Sequence, residues 1–203
     1  MITLIASPVY DDVTKDFYNF FYNLAQYHPT TIIILKDPTP EAIRQAITDF
    51  QPKLLIFTGH GTPNAVLGKD KEILLSTEGY DPVLKRYTPT LNLDLLKDRI
   101  VLIPICWTGE HLIPKIAEVS EASVGFKEPF IYLEPYKEVF FQPIEAMVVS
   151  LLNGATVYES CMEFDTVTKQ LICEYNNEKE VSWRLYHNLQ SLIAYGNKDA
   201  RVI

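Results

Sequence analysis

Cysteine is scarce in this sequence. The 203 residues hold only Cys106, Cys161 and Cys173, an odd number with no CxxC pair. That argues against a disulfide framework and suits free thiols in a reducing cytosol. A zinc site needs four ligands in compact spacing, and Cys106, His111, Cys161 and Cys173 offer none, so no metal is expected. Long apolar runs are also missing. No stretch approaches the roughly 20 residues of a membrane span, and the opening MITLIASPVYDD lacks a basic flank, so it reads as a strand and not a signal peptide. Positive charge is thin too. Lys and Arg number 18 against 26 Asp and Glu, a net charge of −8, and no basic cluster exceeds Lys85-Arg86. Nucleic-acid phosphates require a dense basic face. Neither a nucleic acid nor a membrane is therefore expected as a partner, and the cytoplasm is the expected location.

What is present is an alternation of strand and helix patterns. Short apolar runs at Ile2–Ala6, Thr31–Leu35, Lys53–Thr58, Arg99–Ile105 and Ala122–Phe126 suit strands buried on both faces. Between them, Asp11–Tyr27 carries Phe17, Phe20, Phe21 and Leu24 at helical spacing, with Asp11 or Asp12 placed to cap it. Pro40 opens a second helix with Ala42, Ile43, Ala46, Ile47 and Phe50 along one stripe. Further helices are predicted near 112–118, 142–152, 155–174 and 179–188, a short one near 93–97, and a last strand at 191–195. AVLG (65–68) and EILLS (72–76) flank Gly68-Lys69-Asp70-Lys71 and read as a β-hairpin, followed by a Tyr- and Pro-containing loop. A βαβα order of this kind predicts an α/β fold. Residues 1–203 form one domain with a mainly parallel sheet of five or six strands between helical layers.

Two strand runs end in chemistry-bearing residues. LLIFTGHG (54–61) ends in His60 between glycines, and IVLIPICWTG (100–109) passes through Cys106. In open parallel sheets, ligands gather beyond the carboxyl ends of the strands. A thiol with an ordinary pKa near ~8.5 is mostly protonated at neutral pH, and a nearby imidazole supplies the base that makes it a nucleophile. The helix start after Cys106 would favour the thiolate further. Gly61 permits close approach of a substrate, and its N–H is placed to help hold an oxyanion.

These blocks, in this order, resemble the caspase-like cysteine peptidases, which include caspases, metacaspases, clostripain, gingipain, separase and CHAT domains. The resemblance rests on FTGHG (57–61), the hairpin candidate, and LIPICWTG (102–109), with His60 and Cys106 46 residues apart. CWTG is closest to the Cys-x-Thr-Gly of CHAT and gingipain-like members. SVGFKEPF (123–130), FFQPIEAMVVSLLNGATVYESC (140–161) and LIAYGNKDARV (192–202) are similar to later stretches of that family. Pro104, Ile105, Trp107 and Asn197-Lys198 depart from it. The resemblance implies a caspase-like three-layer α/β/α sandwich and a thiol protease cutting peptide or protein substrates without metal or organic cofactor. It implies His60 as general base and acid, Cys106 as nucleophile, and an oxyanion hole from the backbone N–H groups of Gly61 and Cys106.

Substrate binding is expected at Asp11, Asp12, Trp107 and Glu128. The three carboxylates follow strand ends and would suit a basic residue before the scissile bond, while Trp107 bears on the shape of that pocket. Two other readings stand beside the peptidase. One is a catalytically silent module that binds a protein partner or small ligand, and the other is a nucleotide- or small-molecule-binding α/β domain. A regulatory protein partner is compatible with the first two.

Overall fold

A computed structural model describes residues 2–28 and 31–202. In chain order the first elements are β1 (Thr3–Ser7), α1 (Asp12–Tyr27), β2 (Ile32–Lys36), α2 (Pro40–Phe50) and β3 (Leu54–Phe57). Short strands follow: β4 (His60–Gly61), β5 (Ala65–Leu67), β6 (Ile73–Ser76), β7 (Gly79–Asp81) and β8 (Arg86–Thr88). The remainder is β9 (Ile100–Ile103), α3 (Leu112–Ala117), β10 (Ala122–Phe126), α4 (Lys137–Leu152), α5 (Val157–Glu174), α6 (Lys179–Ser191) and β11 (Leu192–Gly196). Among the described residues no helix is long and apolar enough to cross a membrane.

Six strands form the central sheet in the order β2-β1-β3-β9-β10-β11, all parallel except the antiparallel edge strand β11. Successive side chains leave a strand on opposite faces, and the core divides accordingly. Ile5, Leu54, Ile56, Ile100 and Leu102 pack beneath α1, α4, α5 and α6. Leu4, Ala6, Leu55, Phe57, Val101 and Ile103 pack on the other face, with α2, α3 and the β5–β6 hairpin. A sheet buried on both faces explains the continuous apolar runs. The expected α/β architecture, with a mainly parallel sheet of six strands between helices, is present.

Some boundaries differ from expectation. The stretch read as a loop after β6 contains the β7–β8 hairpin, whose ends are fixed by Asp81. That fully buried carboxylate accepts from the Thr62 hydroxyl and from the Val83 and Leu84 amides. Helix α4 begins at Lys137, five residues before the expected start, and runs through Pro143. An interior proline costs about 3 kcal/mol. Val139, Phe140 and Phe141 are all buried ahead of it, and each buried side chain of that size returns about 1.5–3 kcal/mol. Burial therefore wins. In α2 the apolar stripe is shorter than expected, because Ala42 and Phe50 are exposed.

The chain after β10 is fastened to α6. Asn188, buried on that helix, accepts from Ile131 N–H (3.0 Å) and donates to Ile131 C=O (2.8 Å). Ser191 Oγ accepts from Glu128 N–H at 2.7 Å, and His187 Nε2 donates to the Pro129 carbonyl at 2.9 Å. The segment 128–132 thus takes its position from a helix more than fifty residues away. Replacing Asn188 by Ala leaves both Ile131 backbone groups without their partner, at roughly 1–3 kcal/mol. For a chain of this size that lowers Tm by about 2–4 °C per kcal/mol. A thermal melt and faster amide exchange at Ile131 are the expected readouts; an unchanged melt with slow exchange would remove the clamp from the account.

Candidate active site

The sheet's strand order reverses between β1 and β3, since the chain proceeds from β1 outward to β2 and then returns to the other side. Such a switch point opens a crevice beyond the strand ends. Three neighbouring parallel strands, β1, β3 and β9, deliver their following residues there: Asp11, His60 and Cys106. The ends of β1 and β3 are tied by Thr58 N–H donating to Ala6 C=O (2.9 Å) and Thr58 Oγ1 to Ser7 Oγ (2.8 Å), all buried.

Gly59 then turns the chain with φ +126°, a region that L side chains rarely adopt. This hands His60 to β4, which pairs with β5 so that His60 faces Leu67. The next residue explains why the second glycine is needed. A Cβ on Gly61 would lie 2.0 Å from the Cys106 carbonyl oxygen. The close approach at Gly61 is therefore made by the protein's own backbone, and it brings the His60 segment against the Cys106 segment.

Asp11 serves two masters. As the N-cap of α1 it accepts from Thr14 N–H at 2.9 Å, and Thr14 Oγ1 accepts in return from Asp11 N–H at 3.1 Å, closing a capping box. Its other oxygen lies 2.6 Å from His60 Nε2. Burial alone would raise the Asp11 carboxyl, but the hydrogen bonds from His60 and Thr14 outweigh it, so the carboxyl titrates below its ordinary value. An ionised carboxylate can only accept. His60 Nε2 is then the donor, and Nδ1 is the ring nitrogen left to act as a base. Tyr10 flanks the imidazole with ring centroids 5.7 Å apart, its hydroxyl pushed up to about 12 by burial and by the Asp11 charge.

Cys106 is half-buried, with Sγ 3.9 Å from the Phe130 carbonyl. Burial pushes its thiol above the ordinary value, outweighing backbone hydrogen bonding at Phe130 and at Cys106 itself. The expected help from a helix start is not found: α3 begins only at Leu112 and is six residues long. After Cys106 the chain takes a left-handed step at Trp107 (φ 57°) and then buries Thr108. Gly109 N–H donates to Phe126 C=O at 2.8 Å, which anchors the turn to β10.

His60 and Cys106 line one cleft of about 300 Å³. Its walls are mostly apolar: Val13 and Phe17 from α1, Ile105 beside the cysteine, and Phe130, Ile131 and Tyr132 from the clamped segment. Arg184 of α6 completes it. Of the other expected substrate-binding residues, Asp12 lines an adjoining groove with Asp16 and Lys137, and neither Trp107 nor Glu128 lines the cleft. Trp107 is 38% exposed and Glu128 is also exposed. Phe130, Ile131, Tyr132 and Arg184 were not among the expected site residues; they lie far along the chain, and their place in the cleft is set by tertiary packing. His111 is exposed at the start of α3, Cys161 is half-buried with its thiol raised to about 11 by burial, and Cys173 is exposed. Among the described residues no three His, Cys, Asp or Glu side chains are grouped to hold a metal ion.

No protein-family model matches the chain, and no curated protein matches it.

A raised thiol predicts a definite pH profile for Cys106. Its alkylation by a small neutral electrophile should be slow at pH 7 and keep rising above pH ~8.5, the ordinary thiol midpoint, because the thiolate appears only as pH passes the raised pKa. Stopped time courses with peptide mapping measure this; a plateau below pH 7 would mean a thiolate at rest.

Proposed function

We propose that this chain is a caspase-like cysteine endopeptidase in which Cys106 is the nucleophile, His60 the general base and acid, and Asp11 the residue that positions His60. The observation that carries this reading is the shared cleft. His60, with Nε2 committed to Asp11, and Cys106 both line it at the ends of adjacent parallel strands. The assignment stands on this geometry and on the sequence resemblance.

The chemistry follows from the assigned atoms. His60 Nδ1 takes the thiol proton, and the sulfur attacks the carbonyl carbon of the scissile peptide bond. The oxyanion that forms is held by the backbone N–H groups of Gly61 and Cys106. Collapse breaks the C–N bond, the departing amine takes the proton from the imidazolium, and the acyl group remains on sulfur as a thioester. Water, deprotonated by the same imidazole, then releases the acid and restores the thiol. Asp11 stabilises the imidazolium in the intervening states and fixes the tautomer that leaves Nδ1 free. An extended substrate would lie across the strand ends, held by main-chain hydrogen bonds.

The raised thiol favours a second reading, a silent module whose cleft binds a partner or ligand without chemistry. One set of assays separates the two. A pooled peptide library is incubated with the wild-type protein and with Cys106→Ala, His60→Ala and Asp11→Asn. The peptidase reading expects cleavage that is lost in Cys106→Ala and falls by roughly 10²–10⁴-fold in His60→Ala. Asp11→Asn, which removes the charge but keeps the cap, should fall by roughly 10–100-fold. The Asp11 carboxyl is lowered by folding, so its contribution is full above the ordinary carboxylate range and is lost only as pH drops through its depressed value. Cleavage that persists in Cys106→Ala, or none by the wild type with no labelling of Cys106, would exclude the peptidase.

A further inference from the structure

At the end of the sheet opposite Cys106, the starts of β3 and β9 lie side by side, because these strands pair with Leu54 opposite Ile100. The residues just ahead of them, Lys53 and Arg99, are thereby brought together. They line a mostly polar pocket of about 360 Å³ with Gln51, at the end of α2, and with Lys97 and Asp98 from the chain entering β9. Three cations thus meet one carboxylate there, on a chain whose net charge is −8. Arg99 is bonded only by neutral groups. Its Nη1 donates to the Lys97 carbonyl and its Nη2 to Gln51 Oε1, both at 2.8 Å. Nε is buried with no hydrogen-bond partner among the described residues. Burial pushes the guanidinium below its ordinary value, and the Asp98 charge only partly offsets this. Lys97 is exposed and, among the described residues, is in no ion pair. Lys53 differs, because its Nζ bonds Glu121 as well as the Asp98 carbonyl (3.0 Å), so its charge is matched.

The frame around these groups is fixed. Ile100 N–H donates to Lys53 C=O and Glu121 N–H to Arg99 C=O, each at 2.9 Å, and Lys53 N–H donates to Ile2 C=O at 3.0 Å. Gln51 Nε2 is committed to Thr48 C=O at 2.9 Å, which leaves Oε1 to hold Arg99. Gln51 and Asp98 both take the left-handed backbone conformation, φ 45° and φ 60°, which few residues other than glycine adopt. A guanidinium and an ammonium without carboxylates of their own suit an oxyanion of about two charges. A phosphoryl group carries roughly −1.5 to −2 at neutral pH, and its oxygens match the guanidinium fork. The width of the pocket leaves room for a small polar group attached to it.

We propose that this pocket is a small-molecule site for a phosphoryl dianion, held by Arg99 and Lys97 at the amino ends of β3 and β9. Bound there, the ligand bridges the segments that start the two strands whose far ends carry His60 and Cys106, and it stabilises the folded chain by mass action. The inference is independent of the peptidase reading, since it concerns the other end of the sheet and involves no chemistry at Cys106.

The test is isothermal titration calorimetry of the full chain with inorganic phosphate, glycerol 3-phosphate and malonate, each against chloride at matched ionic strength. One-to-one saturable binding of a phosphoryl probe with a Kd below about 1 mM is expected. Arg99→Gln should weaken it roughly 10–100-fold, the range for a charge-assisted hydrogen bond, and Arg99→Lys, which keeps the charge without the fork, by less. Lys97→Gln should weaken it roughly 2–5-fold. Lys179→Gln, on α6 and outside the pocket, should change it by less than about twofold. Tighter binding of glycerol 3-phosphate supports the site with a phosphomonoester as its ligand, and tighter binding of inorganic phosphate supports it with free phosphate. Malonate bound as tightly as either overturns the phosphoryl assignment. No saturable binding by the wild type up to roughly 10 mM, binding lost in matched chloride, or binding that survives Arg99→Gln overturns the site. Amide chemical shifts of the wild type decide the matter even if a variant fails to fold. On titration they should move at Gln51, Asp98 and Arg99, and movement confined to other residues overturns the proposal.

Discussion

The hydrogen bond between the Asp11 carboxylate and His60 Nε2 joins two segments that leave the sheet from adjacent strands. Each partner is held independently. Asp11 is fixed by the capping box that starts α1, so the carboxylate cannot follow the imidazole if the loop shifts. His60 is fixed by its place in a short antiparallel ladder, which exists only because Gly59 turns the chain. The bond decides which ring nitrogen carries the proton, and hence which one is available as a base. The rest of the site's chemistry depends on that choice.

The second constraint is steric. Gly61 approaches the Cys106 carbonyl so closely that no other residue fits without displacement. Close-packed interiors transmit such contacts rather than absorb them, so the His60 and Cys106 segments move together or not at all. The third wall, residues 128–132, is mounted on α6 by Asn188, Ser191 and His187. A cleft built from elements so distant in the chain is precise only if each is clamped, and all three are. What remains unoptimised at rest is the nucleophile, because burial keeps the Cys106 thiol protonated. Under the peptidase reading, the proton is given to His60 only when a substrate supplies the carbonyl to attack.

Much of the scaffold could be read from the sequence. The sheet strands are buried on both faces, so their apolar runs are continuous, and Ala122–Phe126 matches the strand residue for residue. Helix α1 announced itself through Asp11 and the Phe17–Leu24 spacing. That His60 and Cys106 line one cleft was legible because each follows a strand-type run, and adjacent parallel strands place their following loops together. What escaped was set by tertiary packing. The three-residue strands of β7 and β8 are too short for a period-2 pattern and are interrupted by Pro82 at the turn; a buried Asp81 fixes that turn. The helix expected near 142–152 begins earlier, at Lys137, because the burial that outweighs the local cost of Pro143 comes from the other helices. Asn188 and Arg184 carry no local signal. Their roles exist only once α6 is folded against the chain that follows β10.

The central claim is that a peptide acyl group passes through the sulfur of Cys106. Acid-quenching the wild-type protein within its first turnover of a cleaved peptide, then weighing and mapping it, tests this most directly. The account predicts a mass increase equal to the acyl half of the peptide less the thiol hydrogen, located on Cys106 and released by hydroxylamine as a thioester should be. Cleavage with no acyl adduct on Cys106, or an adduct on Cys161 or Cys173 in its place, would contradict it.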